Sequence, residues 1–100
     1  MATAKLKLVT IIASFELEDR VVERLRKAGA KGYTIVAADG RGKTGRRQHG
    51  VFEPGNARIE SLMHAEECTK LLASIAAEAA EFGFIAYAVD AEAVPASRFE

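Results

Sequence analysis

The stretch CTKLLASIAAEAAEFGFIAYAVDAEAV, from Cys68 to Val94, decides the fold because it joins a helix pattern directly to a strand pattern. Its first part predicts an amphipathic helix that ends at Gly83, since apolar residues recur at offsets 0, 3, 4, 7, 8, 11 and 14 from Cys68. Its second part, Phe84 to Val94, predicts a strand that stops before Pro95. A strand that follows a helix in this way is half of a βαβ unit.

The chain before this stretch predicts a first half of the same kind. KLKLVTIIA, residues 5–13, has the β-branched and apolar character of a buried strand, and residues 17–25 repeat apolar side chains at helical spacing until Gly29 ends the pattern. Two more strands are predicted at residues 33–38 and 57–63. The order βαββαβ predicts a single α+β domain with a ferredoxin-like sandwich, in which both helices cover one face of the sheet.

The other face of that sheet is predicted to be apolar as well. The first strand carries Leu6, Leu8 and Ile12 on one side and Val9 and Ile11 on the other. Helices on one face would leave the second apolar face in water, which soluble proteins avoid. We therefore expect a homo-oligomer that packs sheet against sheet, with ligand sites in the clefts between subunits.

Composition and charge exclude several classes of protein. The chain has 100 residues, of which 49% are hydrophobic and 28% charged, which is typical of one globular domain. Its 14 basic and 14 acidic residues cancel, so no overall field attracts nucleic acid or anionic lipid. One cysteine excludes an intrachain disulfide, and no apolar run approaches the length of a membrane span. We expect a cytoplasmic protein without membrane insertion.

A long loop is the first place to look for chemistry. Residues 39–55 contain five glycines and four basic residues without periodicity, and loops of this length are usually functional or disordered. Gly40, Gly42 and Gly45 spell GxGxxG, but no helix pattern follows them, so a dinucleotide fingerprint is not supported. Glycine amides among arginines and lysines can hold phosphate or carboxylate. The alternative is a solvated run of charge, and both interpretations stay open.

Signals for a metal site, an enzyme or a nucleic-acid module are weak. His64 and Cys68 are four residues apart and could share a helix face, but two ligands do not make a metal site, and a packing role is favoured. The serines lie in no recognisable catalytic spacing. Phe52 is the one aromatic residue in the basic loop. A small nucleotide hydrolase or phosphatase, and a nucleic-acid-binding module that uses the loop, remain as alternatives.

Several segments together resemble the PII signalling family. They are GAKGYTIV (29–36) with the glycine-rich loop from Gly40, RIESLM (58–63), and IAYAVDAEAV (85–94). The sequence is most similar to the short branch associated with bicarbonate transporters and carboxysomes. The resemblance implies a homotrimer of ferredoxin-like subunits with an adenine nucleotide in each intersubunit cleft. It also implies that residues 39–55 form a flexible T-loop, which changes shape with the ligand and controls a partner.

The resemblance further implies which residues bind the nucleotide: Thr34, Gly40, Gly42, Arg46, Arg47, Glu60, Leu62 and Arg98. The threonine matches a second-strand position near the base, and Glu60 and Leu62 match third-strand positions that line the cleft. The two glycines match the loop base, where the backbone approaches the nucleotide. The arginines match groups that reach phosphates, with Arg98 directed to the phosphate of a neighbouring subunit's ligand.

The sequence also departs from the family pattern. AEFGF, residues 80–84, keeps Gly83 but has no basic residue where PII proteins carry a glycine-and-lysine loop, so AMP or ADP is favoured over ATP. We expect a non-enzymatic sensor in inorganic-carbon metabolism, with bicarbonate as a second ligand and no metal or other cofactor. Its expected partner is an unidentified transporter or carbon-fixation protein, which extends the expected location to the carboxysome. Nucleic acid is not an expected partner.

Overall fold

The computed structural model describes residues 2–39 and 55–100, together with the backbone of 41–42 and 45–46. Its strands are β1 (Ala4–Ser14), β2 (Thr34–Ala38), β3 (Arg41–Gly42), β4 (Gly45–Arg46), β5 (Asn56–Met63) and β6 (Ile85–Ala93), and its helices are α1 (Glu18–Lys27) and α2 (Ala65–Phe82). Single 3₁₀ turns follow β1 at Phe15–Leu17 and β6 at Ala96–Phe99. The predicted order of the main elements is confirmed.

Four strands form one antiparallel sheet in the order β2-β5-β1-β6. The central position belongs to Ile11, which pairs with Ile59 on one side and Ala86 on the other. These side chains join a core with Leu25 of α1 and Leu71 of α2, so both helices lie on the same face of the sheet. The predicted ferredoxin-like βαββαβ sandwich is therefore confirmed.

The opposite face of the sheet, which we call the helix-free face, is apolar and open. Because strand residues alternate between faces, Leu8 and Ile12 lie opposite the side that Val9 and Ile11 bury against the helices. On β6 the same face carries Ile85, Tyr87 and Val89, with relative exposures of 57%, 46% and 50%. Large apolar side chains in a row at the surface favour an interface with another molecule.

Charged side chains connect the outer surfaces of the two helices. Arg24 Nε lies 2.7 Å from Glu78 Oε1, and Arg20 NH1 lies 3.2 Å from Glu78 Oε2. The guanidinium of Arg20 also lies over the ring of Phe82, 4.8 Å from its centre. Hydrogen bonding to Arg24, with a second contribution from Arg20, lowers the pKa of Glu78 below its ordinary value.

Helix α2 begins earlier than its apolar pattern suggests. The predicted apolar series starts at Cys68, whereas the helix starts at Ala65. The carboxylate of Glu67 accepts a hydrogen bond from the backbone N–H of His64 at 3.1 Å, which satisfies one of the free donors at the helix start. The helix ends as predicted, with Gly83 in the left-handed region at φ +74°.

The segment predicted as an aperiodic loop contains a short hairpin. Strands β3 and β4 pair antiparallel, with Arg41 opposite Arg46 and Gly42 opposite Gly45. This corrects the prediction of residues 39–55 as loop throughout. Residues 40, 43–44 and 47–54 lie outside the described part of the chain, so the predicted T-loop behaviour stays a prediction.

Neither helix in the described ranges combines the length and apolar character needed to cross a membrane.

Candidate functional site

A groove of about 440 Å³ lies where β2 begins and β5 ends. Its floor is built by neighbouring strands: Thr34 of β2 is the register partner of Glu60 of β5, and Leu62 is the partner of Leu8 in β1. These four residues occupy alternate positions on the helix-free face, which is why the strand pairing brings them together. The floor thus combines a hydroxyl, a carboxylate and two aliphatic side chains.

The residues just before β2 form one wall of the groove. Lys31, Gly32 and Tyr33 line it, and the tyrosine is 47% exposed. The hydroxyl of Ser61, itself buried, donates to the carbonyl oxygen of Gly32 at 2.6 Å. This bond ties the wall to β5 and fixes the backbone next to Thr34.

The turn after β6 forms the opposite wall. Arg98 and Phe99 line the groove, and the backbone N–H of Arg98 donates to the carbonyl of Pro95 at 3.1 Å, which closes the turn. His64 Nε2 lies 2.6 Å from the carbonyl oxygen of Phe99. The groove is therefore assembled from four separate parts of the sequence.

The charges around the groove are mixed, with cations in excess. Lys31 and Arg98 lie on its walls, and Arg58 places its Nε 2.9 Å from Oε1 of Glu60. Guanidinium and ammonium groups bind phosphate or carboxylate, while the glutamate accepts hydrogen bonds from hydroxyl or amino groups. The arrangement is suited to a ligand with an anionic end and a hydrogen-bonding, partly apolar body.

Of the eight predicted nucleotide-binding residues, four meet in this groove: Thr34, Glu60, Leu62 and Arg98. Gly42 and Arg46 lie in the β3–β4 hairpin, where only the backbone is described. Gly40 and Arg47 fall outside the described residues.

Sequence reasoning missed the roles of Lys31, Ser61 and His64 around the groove. The spacing of His64 and Cys68 raised the possibility of a metal pair. In the structure the ring of His64 contacts the Phe99 carbonyl, and Cys68 is buried. Burial raises the pKa of the Cys68 thiol, which disfavours the thiolate that a metal requires. Within residues 2–39 and 55–100, no group of three or more His, Cys, Asp or Glu side chains could hold a metal ion.

A second depression of about 570 Å³ lies beside the start of β1 and the end of β6. Lys5, Leu6, Asp90, Ala91 and Glu92 line it. None of them is among the predicted ligand-binding residues. Asp90 is already paired with Lys7 at 2.5 Å and Glu92 accepts a hydrogen bond from Thr3, so the first groove is the stronger candidate.

Comparison with known proteins gives a consistent picture. The family model "Nitrogen regulatory protein P-II" matches residues 6–98. A solved structure described as a PII-like signalling protein of Thermus thermophilus is 35% identical, with all of both chains covered and a TM-score of 0.81. No curated protein gives a significant sequence match.

Structures of the protein CPII from Thiomonas intermedia share the fold at lower identity. One, with ADP and bicarbonate bound, is 22% identical and has a TM-score of 0.88, with 99% of this chain and 98% of that chain covered. Another, with ADP, AMP and bicarbonate bound, is 24% identical and has a TM-score of 0.90, with 98% and 96% covered.

Proposed function

This chain belongs to the nitrogen regulatory protein P-II family, and from that premise we propose that it is a non-enzymatic sensor that binds adenine nucleotides between the subunits of a homotrimer. The observation that carries the proposal is the groove itself, where Thr34, Glu60, Leu62 and Arg98 come together. The family resemblance implied that Thr34 lies near the base of the nucleotide and that Glu60 and Leu62 line the cleft. Arg98 was expected to reach the phosphate of a neighbouring subunit's ligand, whereas here it lies beside the other three residues of its own chain.

The helix-free face supports the assembly in this proposal. Leu8 and Leu62 at the groove are continuous with the exposed row Ile85, Tyr87 and Val89 on the same side of the sheet. A second subunit packed there would bury the exposed half of these side chains, and the hydrophobic effect favours the removal of that apolar surface from water. The same subunit would close the open side of the groove, so that ligand and neighbour share one site.

The chemistry of the groove favours AMP or ADP among the nucleotides. Cations at Lys31 and Arg98 suit one or two phosphates, and Glu60 suits the hydrogen-bond donors of ribose or adenine. The segment from Ala80 to Phe84 supplies no basic side chain for a third phosphate. The Thiomonas protein, which has the same fold, has been observed with ADP, AMP and bicarbonate bound.

We propose bicarbonate as the second ligand. We also propose that residues 39–55 change conformation according to which ligand is bound. A small anion suits amides and arginines of that segment, which carries four basic residues. A regulatory output requires that ligand and partner prefer different states of the loop. The proposed output is control of inorganic-carbon uptake or fixation through a transporter or carbon-fixation protein, in the cytoplasm or at the carboxysome.

Calorimetric titration with AMP, ADP, ATP and bicarbonate, alone and in pairs, tests the proposal. We expect saturable binding of ADP at one site per chain, together with a trimer in sedimentation. The variant Arg98→Ala should weaken ADP more than adenosine because a charge-assisted contact is lost. Lys70→Ala, an exposed cation on α2, is the matched control.

A monomer that ignores every adenylate would overturn the proposal. Turnover of ADP or ATP would replace it with the hydrolase alternative. Binding only to long polyanions, falling steeply with salt, would replace it with the nucleic-acid alternative.

A further inference from the structure

Two side chains from distant parts of the sequence hold the residues after β6. His64 Nε2 lies 2.6 Å from the backbone carbonyl oxygen of Phe99, and Lys31 Nζ donates to the backbone carbonyl of Glu100. The two accepting carbonyls belong to the residues that directly follow Arg98. The position of the Arg98 backbone is therefore set from the start of α2 and from the segment before β2.

These polar contacts matter because the apolar side chains of the turn are at most partly buried. None of the residues of the turn Ala96–Phe99 is fully buried. Its internal bond, from the N–H of Arg98 to the carbonyl of Pro95, shapes the turn without attaching it to the rest of the molecule. A hydrogen bond between chain segments contributes about 0.5–1.5 kcal/mol, which is enough to decide where a turn of this kind lies.

We propose that His64 is a positioning residue for the ligand: its ring donates a hydrogen bond to the Phe99 carbonyl and thereby holds Arg98 on the wall of the groove, where the guanidinium meets an anionic group of the ligand. The proposal rests on the proposed nucleotide-binding function. The hydrogen bond requires a hydrogen on Nε2, which both the imidazolium and one neutral tautomer carry. The anchor therefore does not depend on the charge of the ring.

The ring of His64 is one half of a capping box at the start of α2: its side chain accepts from the backbone N–H of Glu67, and the Glu67 carboxylate accepts from the backbone N–H of His64. Every replacement except proline retains the second of these contacts. His64 is exposed and is not part of the hydrophobic core. Removal of the ring is therefore expected to loosen the turn after β6 and to weaken the start of α2, while the hydrophobic core stays in place.

A double-mutant cycle with Arg98 tests the inference. His64→Ala should lower ADP affinity about fivefold, which corresponds to the loss of one ordinary hydrogen bond. His64→Gln should restore most of that affinity, because its amide can donate to the same carbonyl. In an Arg98→Ala background, His64→Ala should cause much less than a fivefold further loss, since the group that it positions is gone.

The position of the turn can be measured without any ligand. Trypsin cleaves after arginine, and mass spectrometry of the intact chain follows the release of residues 99–100. We expect faster release from His64→Ala than from the wild type or His64→Gln, when all three are compared at a temperature well below their melting temperatures. Lys70→Ala is the control on α2 and should change neither cleavage nor affinity.

The outcomes separate this inference from the proposed function. A wild-type protein that does not bind ADP overturns both. A wild-type protein that binds ADP while His64→Ala has the same affinity overturns the inference alone. Equal losses from His64→Ala with and without Arg98 would also overturn it, because the histidine would then act independently of the arginine.

Discussion

Thr34 and Glu60 face each other across the β2–β5 pair, at the edge of the sheet where the groove opens. Side chains at opposed positions of an antiparallel pair lie about 5 Å apart on the same face. One small ligand group can therefore meet a hydroxyl and a carboxylate at once. Because β2 is an edge strand, the neighbouring space is open to a ligand.

Thr34→Val should weaken the binding of ADP by about two- to tenfold. The substitution keeps the shape of the side chain and removes its hydroxyl, and the net value of one neutral hydrogen bond is about 0.5–1.5 kcal/mol. Isothermal titration calorimetry measures the change. Thr69→Val, on the exposed surface of α2, is the control and should bind normally. An unchanged affinity of Thr34→Val would remove Thr34 from the site.

Leu62→Ala should mainly weaken ligand binding, whereas Leu71→Ala should mainly lower the stability of the fold. Leu71 is 0% exposed in the core, so its truncation should destabilise the fold by about 2–5 kcal/mol in chemical denaturation. Leu62 is only partly buried and lines the groove, so its truncation should affect ADP affinity more than stability. Calorimetry and denaturation on both variants make the comparison. A Leu62→Ala protein with full affinity would show that the ligand does not lie on the sheet.

Val89→Glu should prevent assembly. Val89 is 50% exposed on the helix-free face, on the edge strand β6, and a buried unpaired carboxylate is strongly unfavourable in an interface. Sedimentation velocity should show a smaller species than the wild type at equal concentration. Ala73→Glu on the exposed side of α2 is the matched control and should assemble normally. Normal assembly of Val89→Glu would place the subunit contact elsewhere.

Glu78 should make the fold sensitive to acid. The pKa of its carboxyl is lowered in the folded state by Arg24 and then Arg20. The unfolded chain therefore takes up the proton first as the pH falls, and the stability from this group is present above the unfolded pKa and lost through the folded pKa. Melting temperatures of the wild type and Glu78→Gln should differ near neutral pH and converge in acid.

Asp90→Asn is the comparison for that experiment. The pKa of Asp90 is also lowered, by hydrogen bonding to Lys7, but its side chain is 90% exposed. Solvent screens such a pair, so its removal should change the melting temperature less than Glu78→Gln does. A larger effect from Asp90→Asn would contradict the expectation that the less exposed ion pairs between α1 and α2 contribute more to stability.

The strands and helices that have a clear local pattern of apolar residues could be predicted from the sequence. The β-branched and apolar character of residues 5–13 predicted β1, alternation predicted β5, and helical spacing predicted α2 with its end at Gly83. The start of α2 was predicted late because Ala65, Glu66 and Glu67 carry no apolar signal. A carboxylate three residues after His64 is the signature that would have corrected it.

The remaining features depend on contacts that local patterns do not encode. The β3–β4 hairpin is two residues long on each side and rich in glycine, so no alternation indicates it. The contact of His64 with Phe99 joins residues 35 positions apart, and the hydrogen bond from Lys31 to Glu100 joins residues 69 positions apart. Periodicity predicts which face a residue occupies, whereas these contacts depend on where the last turn packs in three dimensions.

The last turn, Ala96–Phe99, can separate from the molecule without exposing the core, because it contributes no fully buried side chain. The measured affinity for a ligand that needs this turn is then its intrinsic affinity scaled by the fraction of molecules in which the turn is docked. Hydrogen exchange at the Arg98 amide, which is bonded to Pro95, reports opening of the turn in the absence of ligand. Substitutions outside the groove that change this fraction would change the measured affinity for the ligand while every ligand contact stays the same.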